Sequence, residues 1–209
     1  MKKSENELVK RVVMNFTDGC NMNCPYCYIP FDNYPVKKEE VFETIKGIQE
    51  IDPEAITIGG GEPLRFDLIV ELVDFFYEKN KFIQLDTNGK NMEGIKLSTL
   101  NKIDLLGLPL DGSTQSIHGR IRKDKNHYEE VMSTFSDLYS CDTKLKVNTV
   151  VNKQNLHDIP KIAKIVDGLN IKKWSLYEFW PMERGLENIN RFSVDHQKYL
   201  DIANKVKVQ

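Results

Sequence analysis

Three of the four cysteines in this 209-residue chain fall close together, as Cys20, Cys24 and Cys27 of GCNMNCPYCY, a C-x3-C-x2-C spacing. Thiolates this near one another on one loop can converge on a single inorganic centre. Soft sulfur donors favour an iron–sulfur cluster, zinc or Cu(I). Structural zinc normally completes its shell with a fourth Cys or His. No histidine precedes His118, and Cys141 follows much later, at the back of a helical stretch. Three thiolates on a four-iron cluster leave one iron open to an outside ligand, which is a reactive position. The competing readings are buried structural cysteines, an incomplete zinc site and a disulfide pair. Cys141 reads as a buried free thiol, a small hydrophobe.

Composition removes other function classes. With 29 Lys+Arg against 31 Asp+Glu the formal charge is −2, and no basic block suggests binding to a nucleic-acid polymer. No apolar run approaches the ~20 residues of a membrane span. The charged start MKKSENELVK does not read as a signal peptide, so a cytoplasmic protein is expected. A hydrophobic content of 40% suits one filled core, and no linker or repeat divides the chain, so residues 1–209 read as a single domain.

Hydrophobic patterning supplies the elements that must position the cysteines. Strands are expected at Arg11–Phe16, Ala55–Ile58, Phe82–Leu85, Asp104–Leu110, Lys144–Val151 and Trp174–Phe179. Helices are expected at Val36–Ile51, Phe66–Tyr77, Ile95–Leu100, His127–Tyr139, Asp158–Leu169 and Asp195–Val206. This alternation implies right-handed βαβ crossovers and a parallel sheet with helices outside. A closed eight-unit barrel usually takes ~250 residues, so the fold class is α/β with a partial six-unit (β/α) barrel. A doubly wound open sheet is the rival. In both, chemistry gathers at the carboxyl ends of the strands. There stand the cysteines, Gly59-Gly60-Gly61-Glu62-Pro63, Asp86-Thr87-Asn88, Asp111-Gly112-Ser113, Asn152 and Trp180-Pro181.

At these residues the sequence resembles the radical S-adenosylmethionine (radical SAM) superfamily. The resemblance rests on the cysteine spacing with Tyr26 before the third cysteine, together with GGGEP after the second strand. It implies that Cys20, Cys24 and Cys27 hold a [4Fe–4S] cluster whose open iron is chelated by SAM. It implies further that Gly60, Gly61 and Glu62 receive the methionine ammonium. Glycines let backbone approach closely and a carboxylate suits an ammonium. The plainer reading of GGGEP is a tight turn with Pro63 opening a helix. LDGS at 110–113 and IHGRIR at 117–122 resemble relatives that make molybdenum cofactor and viperin-like enzymes. Ser113 and Arg122, or else Arg120, are then candidates for the SAM carboxylate. Lys123 replaces the glycine of that pattern. His118 reads as a hydrogen-bonded loop residue. Thr87, Asn88 and Asn148 become candidate ribose or methionine contacts, and Tyr28 and Tyr177 candidate adenine neighbours, against ordinary packing as the alternative.

The implied reaction is reductive cleavage of SAM to methionine and a 5′-deoxyadenosyl radical that abstracts hydrogen from substrate. An external one-electron reductant, flavodoxin or ferredoxin, is expected as partner. KVNTVVNKQN (Lys146–Asn155), KKWSLYEFWPMERG (Lys172–Gly185) and NRFSVDHQKY (Asn190–Tyr199) resemble viperin-like strings. The resemblance implies a nucleotide- or sugar-like small substrate, with Lys146 and Asn148 near a triphosphate. Ser175 stands where a second lysine is expected, and Lys144, Lys146, Lys172 and Lys173 also read as a solvated lysine face. No cysteine follows Cys141 for an auxiliary cluster. The barrel mouth is expected to be open, which suits a peptide or protein substrate, or to be closed by a second chain or further segment. A non-catalytic iron–sulfur or zinc scaffold is the reading from another class, disfavoured by GGGEP.

Overall fold

The computed structural model describes residues 9–30, 35–90, 92–139 and 141–206. In chain order the elements are β1 (Arg11–Asn15), α1 (Lys38–Ile51), β2 (Ala55–Gly59), α2 (Leu68–Glu78), β3 (Phe82–Asp86) and α3 (Leu97–Leu100). Then follow β4 (Leu105–Pro109), α4 (Gln115–Arg122), α5 (His127–Asp137), β5 (Lys144–Val151) and α6 (Ile159–Asp167). β6 (Lys173–Glu178), α7 (Arg184–Glu187), α8 (Ile189–Phe192) and α9 (His196–Val206) complete the set. Neighbouring strands pair in parallel and in strict chain order, β1-β2-β3-β4-β5-β6. A doubly wound sheet reverses its order at a switch point; this one never does. The sheet curls into a partial barrel that stays open between β1 and β6.

Each strand presents two unlike faces. Ile56, Ile58, Ile83, Leu85, Leu106, Leu108, Leu145 and Val147 pack outward with Ile45, Leu72, Phe76, Val131 and Ile162 of the helices, forming the main core. Of the alternate residues, Thr57, Gln84, Asp86, Lys146 and Asn148 are polar and line the concave side. Arg11 donates to the Thr57 hydroxyl (2.9 Å) and to Gln84 (3.3 Å), and Gln84 in turn donates to Asp86 (3.0 Å). Strand register therefore places one polar side chain beside the next across the wall.

Helix ends follow local chemistry. α1 stops where Asp52 turns left-handed (φ 50°), and α4 starts where the Thr114 hydroxyl accepts the Ile117 N–H. α4, α7 and α8 lie outside the six helices legible from apolar spacing. No helix among the described residues is long and apolar enough to cross a membrane.

Candidate functional site

β1 delivers the chain into the cysteine loop. Cys24 is buried, Cys20 and Cys27 are half-buried, and all three are free thiols. A turn closed by the Cys27 N–H to the Cys24 carbonyl (3.2 Å) brings these two residues together. The three thiols lie within electrostatic range of one another. Burial pushes the Cys24 thiol up to about 12, while the Arg122 charge pulls it back. Among the described residues no three Cys, His, Asp or Glu side chains are already drawn together as a metal cage.

The glycine segment after β2 is docked on this loop. Gly61 N–H reaches the Thr17 carbonyl (2.7 Å) and Glu62 N–H the Gly19 carbonyl (2.8 Å). A methyl on Gly60 (φ +121°) would overlap the Thr17 carbonyl oxygen, and one on Gly61 the Gly19 carbonyl oxygen. Close backbone approach is thus the reason for both glycines, and the backbone approached is the cysteine loop. Pro63 opens a 3₁₀ turn at Pro63–Arg65, as the turn reading of GGGEP requires.

Glu62 is fully buried beneath the loop. One carboxylate oxygen accepts the Thr87 hydroxyl (2.6 Å) and Leu64 N–H (3.0 Å), and the other accepts Asn88 N–H (2.7 Å). A carboxylate offers about four lone-pair directions, so one remains, on the oxygen facing Asn88. Burial raises the carboxyl's pKa, and Thr87, Asn88, Leu64 and Arg122 work against that. The Asn88 amide donates to Asn21 Oδ1 (2.7 Å) and lies 3.8 Å from the Cys20 sulfur. Glu62, Thr87 and Asn88 are therefore gathered against the cysteines.

Asp111, at the end of β4, is fully buried and has every polar atom engaged. Tyr26 Oη and Arg122 Nε both donate to Oδ2 at 2.7 Å, and Val150 N–H donates to Oδ1 at 2.8 Å. Its carbonyl accepts Asn155 Nδ2 (3.0 Å). Burial opposes the Arg122 charge, but Tyr26, Asp111 and Cys24 outweigh it and raise its pKa. Of the two arginines open in sequence, Arg122 is the one beside the cysteines, whereas Arg120 is exposed and offers its carbonyl to Arg191 (3.2 Å). Ser113 donates both its N–H (2.7 Å) and its hydroxyl (2.8 Å) to Asp158.

His118 and His127, remote from the sequence motifs in role, form a buried relay. Asp111 N–H must donate to His118 Nδ1 (3.1 Å), so His118 Nε2–H donates to His127 Nδ1 (2.8 Å). His127 Nε2–H then donates to the Asn88 carbonyl (2.8 Å), which ties the β3 and β4 loops together. His118 stands in α4, not in a loop. Both rings are neutral: burial first and Arg122 next pull His127 down to about 3 and His118 well below its ordinary value. The unfolded histidines bind protons as pH falls through about 6.5, while the folded His127 resists until about 3. Stability is thus full above the unfolded value and declines as pH falls through this window. Urea denaturation in steps from pH 7 to 4 is expected to show this fall, and His127→Gln to flatten it. An unchanged slope contradicts the relay.

On the concave wall, Lys146 is 2% exposed, so it does not belong to a solvated lysine face; Lys144, Lys172 and Lys173 do. Its ammonium donates to Tyr177 Oη (2.9 Å) and lies 3.7 Å from Asp86. Asn148 Nδ2 donates to the same Asp86 oxygen (3.0 Å), and Asn148 Oδ1 is shut from solvent with no hydrogen-bond partner among the described residues. Tyr28 and Tyr177 are half exposed, and the Tyr28 phenol lies near Cys27, Asp86 and Tyr177. The segment after β6 covers the loop from the other side. Phe179 and Phe192 pack with Met22, Cys24 and Tyr26, and Gly185 N–H reaches the Cys27 carbonyl (3.3 Å). Cys141 packs against the main core, before β5 and away from these loops.

The family profile described as "Radical SAM superfamily" matches residues 14–166. The chain is 25% identical to an S-adenosylmethionine-dependent nucleotide dehydratase of Flammeovirga pacifica, over 97% of this chain and 74% of that protein. It is 26% identical to an Fe-coproporphyrin III synthase of Methanosarcina barkeri, over 86% of this chain but 46% of that protein. Several curated relatives are thus considerably longer than the chain. In fold it resembles Streptococcus suis SuiB bound to precursor peptide SuiA, with a TM-score of 0.72 and 17% identity, over 83% of this chain and 40% of that one. The cysteine loop, the GGGEP segment docked on it and the six-stranded partial barrel therefore have one common explanation: the chain is an enzyme belonging to the radical SAM superfamily.

Proposed function

We propose that the chain holds a [4Fe–4S] cluster on Cys20, Cys24 and Cys27 and uses it with SAM in radical chemistry on a small nucleotide- or sugar-like molecule. The observation that carries this reading is Asn88, whose N–H holds Glu62 (2.7 Å) while its side chain lies 3.8 Å from the Cys20 sulfur. The ammonium acceptor and the thiols thereby share one pocket. The donor set fits the cofactor: three soft sulfurs, with the Arg122 cation beside Cys24 to offset thiolate charge. Together cluster and SAM supply reductive cleavage to methionine and a 5′-deoxyadenosyl radical.

The remaining work falls to side chains. The open lone pair of Glu62 accepts the methionine ammonium, at the segment formed with Gly60 and Gly61. Arg122, oriented by Asp111 through Nε, offers its outer nitrogens to the SAM carboxylate. Thr87 holds Glu62 in place. Asn148 Oδ1 accepts a ligand hydroxyl, and the aromatic rings of Tyr28 and Tyr177 flank the same space. With its hydroxyl proton given to Asp158, Ser113 retains oxygen lone pairs for a ligand donor. Flavodoxin or ferredoxin supplies the electron. The likeness to a nucleotide dehydratase along nearly the whole chain supports a small substrate. A peptide substrate is the second reading, favoured by the exposed Trp180 and Leu186 and by the fold's likeness to peptide-bound SuiB.

Anaerobic reconstitution with iron and sulfide tests the assignment. The chain is expected to retain about four irons, with an electron paramagnetic resonance signal that changes on adding SAM; Cys24→Ala is expected to lose both. Full iron retention in Cys24→Ala would refute the ligand set.

A further inference from the structure

We propose that His118 and His127 are positioning residues for SAM: their hydrogen-bond chain sets the spacing between the carboxylate grip, Asp111–Arg122, and the ammonium grip, Glu62–Asn88. This rests on the SAM reading above and deepens it with two residues that do not touch the ligand.

The two grips stand on different strands. Glu62 follows β2 and is held by Thr87 and Asn88 at the end of β3. Asp111 follows β4 and orients Arg122 on α4. The ammonium and carboxylate of methionine share one carbon, so the grips must be spaced to match it. Binding groups need to be held within about 0.5 Å of the productive geometry. The β3–β4 ladder closes with Thr87 N–H on the Gly107 carbonyl (3.0 Å), short of both Asn88 and Asp111. Beyond it, the bridge is the relay: Asp111 N–H to His118 (3.1 Å), His118 to His127 (2.8 Å) and His127 to the Asn88 carbonyl (2.8 Å).

Each end of the relay is anchored in a grip. His118 and Arg122 are four residues apart on α4 and share one helix face. Asp111 meets both, with its N–H on the ring and its Oδ2 on the guanidinium. At the other end, Asn88 gives its N–H to Glu62 (2.7 Å) and its side-chain amide to Asn21 of the cysteine loop (2.7 Å), while its carbonyl faces His127. Both rings are fully buried, stacked with centroids 5.0 Å apart, so they act only through Asp111 and Asn88. Apolar side chains could fill the same space. What the imidazoles add is direction, because a satisfied buried hydrogen-bond network specifies one arrangement of the groups it joins.

Electron paramagnetic resonance of the reduced, reconstituted chain, titrated with SAM, tests the relay. His127→Phe is expected to keep its iron yet bind SAM about tenfold more weakly, because the grips lose their spacing. His127→Gln retains a donor for the Asn88 carbonyl and is expected to stay within about threefold of wild type. The two rings act in series, so adding His118→Phe to His127→Phe is expected to weaken SAM binding no further. Three results would overturn the relay: wild-type affinity in folded, iron-loaded His127→Phe; His127→Gln as weak as His127→Phe; or a double variant whose loss multiplies those of the single variants. Where the Phe variants fail to fold, nuclear magnetic resonance of wild type labelled with nitrogen-15 histidine decides. Both rings are expected to be protonated at Nε2 and to shift on adding SAM; a ring protonated at Nδ1, or rings that ignore SAM, would overturn the relay. Wild type without any response to SAM refutes the reading above, whereas a SAM response that the variants leave intact refutes the relay alone.

Discussion

Replacing Asp111 with asparagine is expected to destabilise the fold by about 3–5 kcal/mol, the usual cost of breaking a buried ion pair from one side. Both carboxylate oxygens accept: Oδ2 from Tyr26 and Arg122, Oδ1 from Val150. Either orientation of an amide therefore turns its NH2 group against a donor. Arg122 is left charged beside Cys24 with its counter-ion gone. Domains are stable by about 5–15 kcal/mol in total, so the loss is large enough to read directly in a urea midpoint. It also frees Tyr26, and with it the cysteine loop, so weaker iron retention is expected in the same variant. A change below about 1 kcal/mol would contradict the role given to Asp111.

Gly61→Ala is expected to cost about 3 kcal/mol and to displace the cysteine loop. Overpacking costs about 1–3 kcal/mol where side chains can yield. Here the methyl meets the carbonyl oxygens of Gly19 and Asp18, which are backbone and cannot rotate aside. The clash opposes the two hydrogen bonds, 2.7 and 2.8 Å, that join the segments. Gly47→Ala is the control: nothing lies within 4 Å of its added methyl in the middle of α1. That change is expected to stabilise by roughly 0.5–1 kcal/mol. Equal effects of the two substitutions on stability and iron retention would contradict the docking.

The barrel was legible in the sequence because its outer faces are made of apolar residues at regular spacing. β5 runs over Lys144–Val151 as the pattern indicates, and the other strands agree within a residue at most termini. α4 was not legible: QSIHGRIR has only two apolar side chains, and it buries His118 and Gly119 beside Ile121. The three cysteines could be read as a motif because they lie on one short loop. The groups that hold that loop could not, since their partners are distant in sequence. Asp111 meets Tyr26 across 85 residues, and His127 meets Asn88 across 39. Lys146 showed the same limit, as its surroundings depend on Tyr177, one strand away. Gly60 and Gly61 were visible as glycines, but only the fold shows which backbone they approach.

On the proposed reading, these loops form one machine for cleaving SAM. Its most direct measurement is 5′-deoxyadenosine released from SAM by the reconstituted, reduced chain without oxygen. Formation of 5′-deoxyadenosine with an equal amount of methionine is predicted, and its disappearance in Cys24→Ala. A chain that carries its full iron yet releases none, under strong reductant and with every class of candidate substrate, would contradict the account.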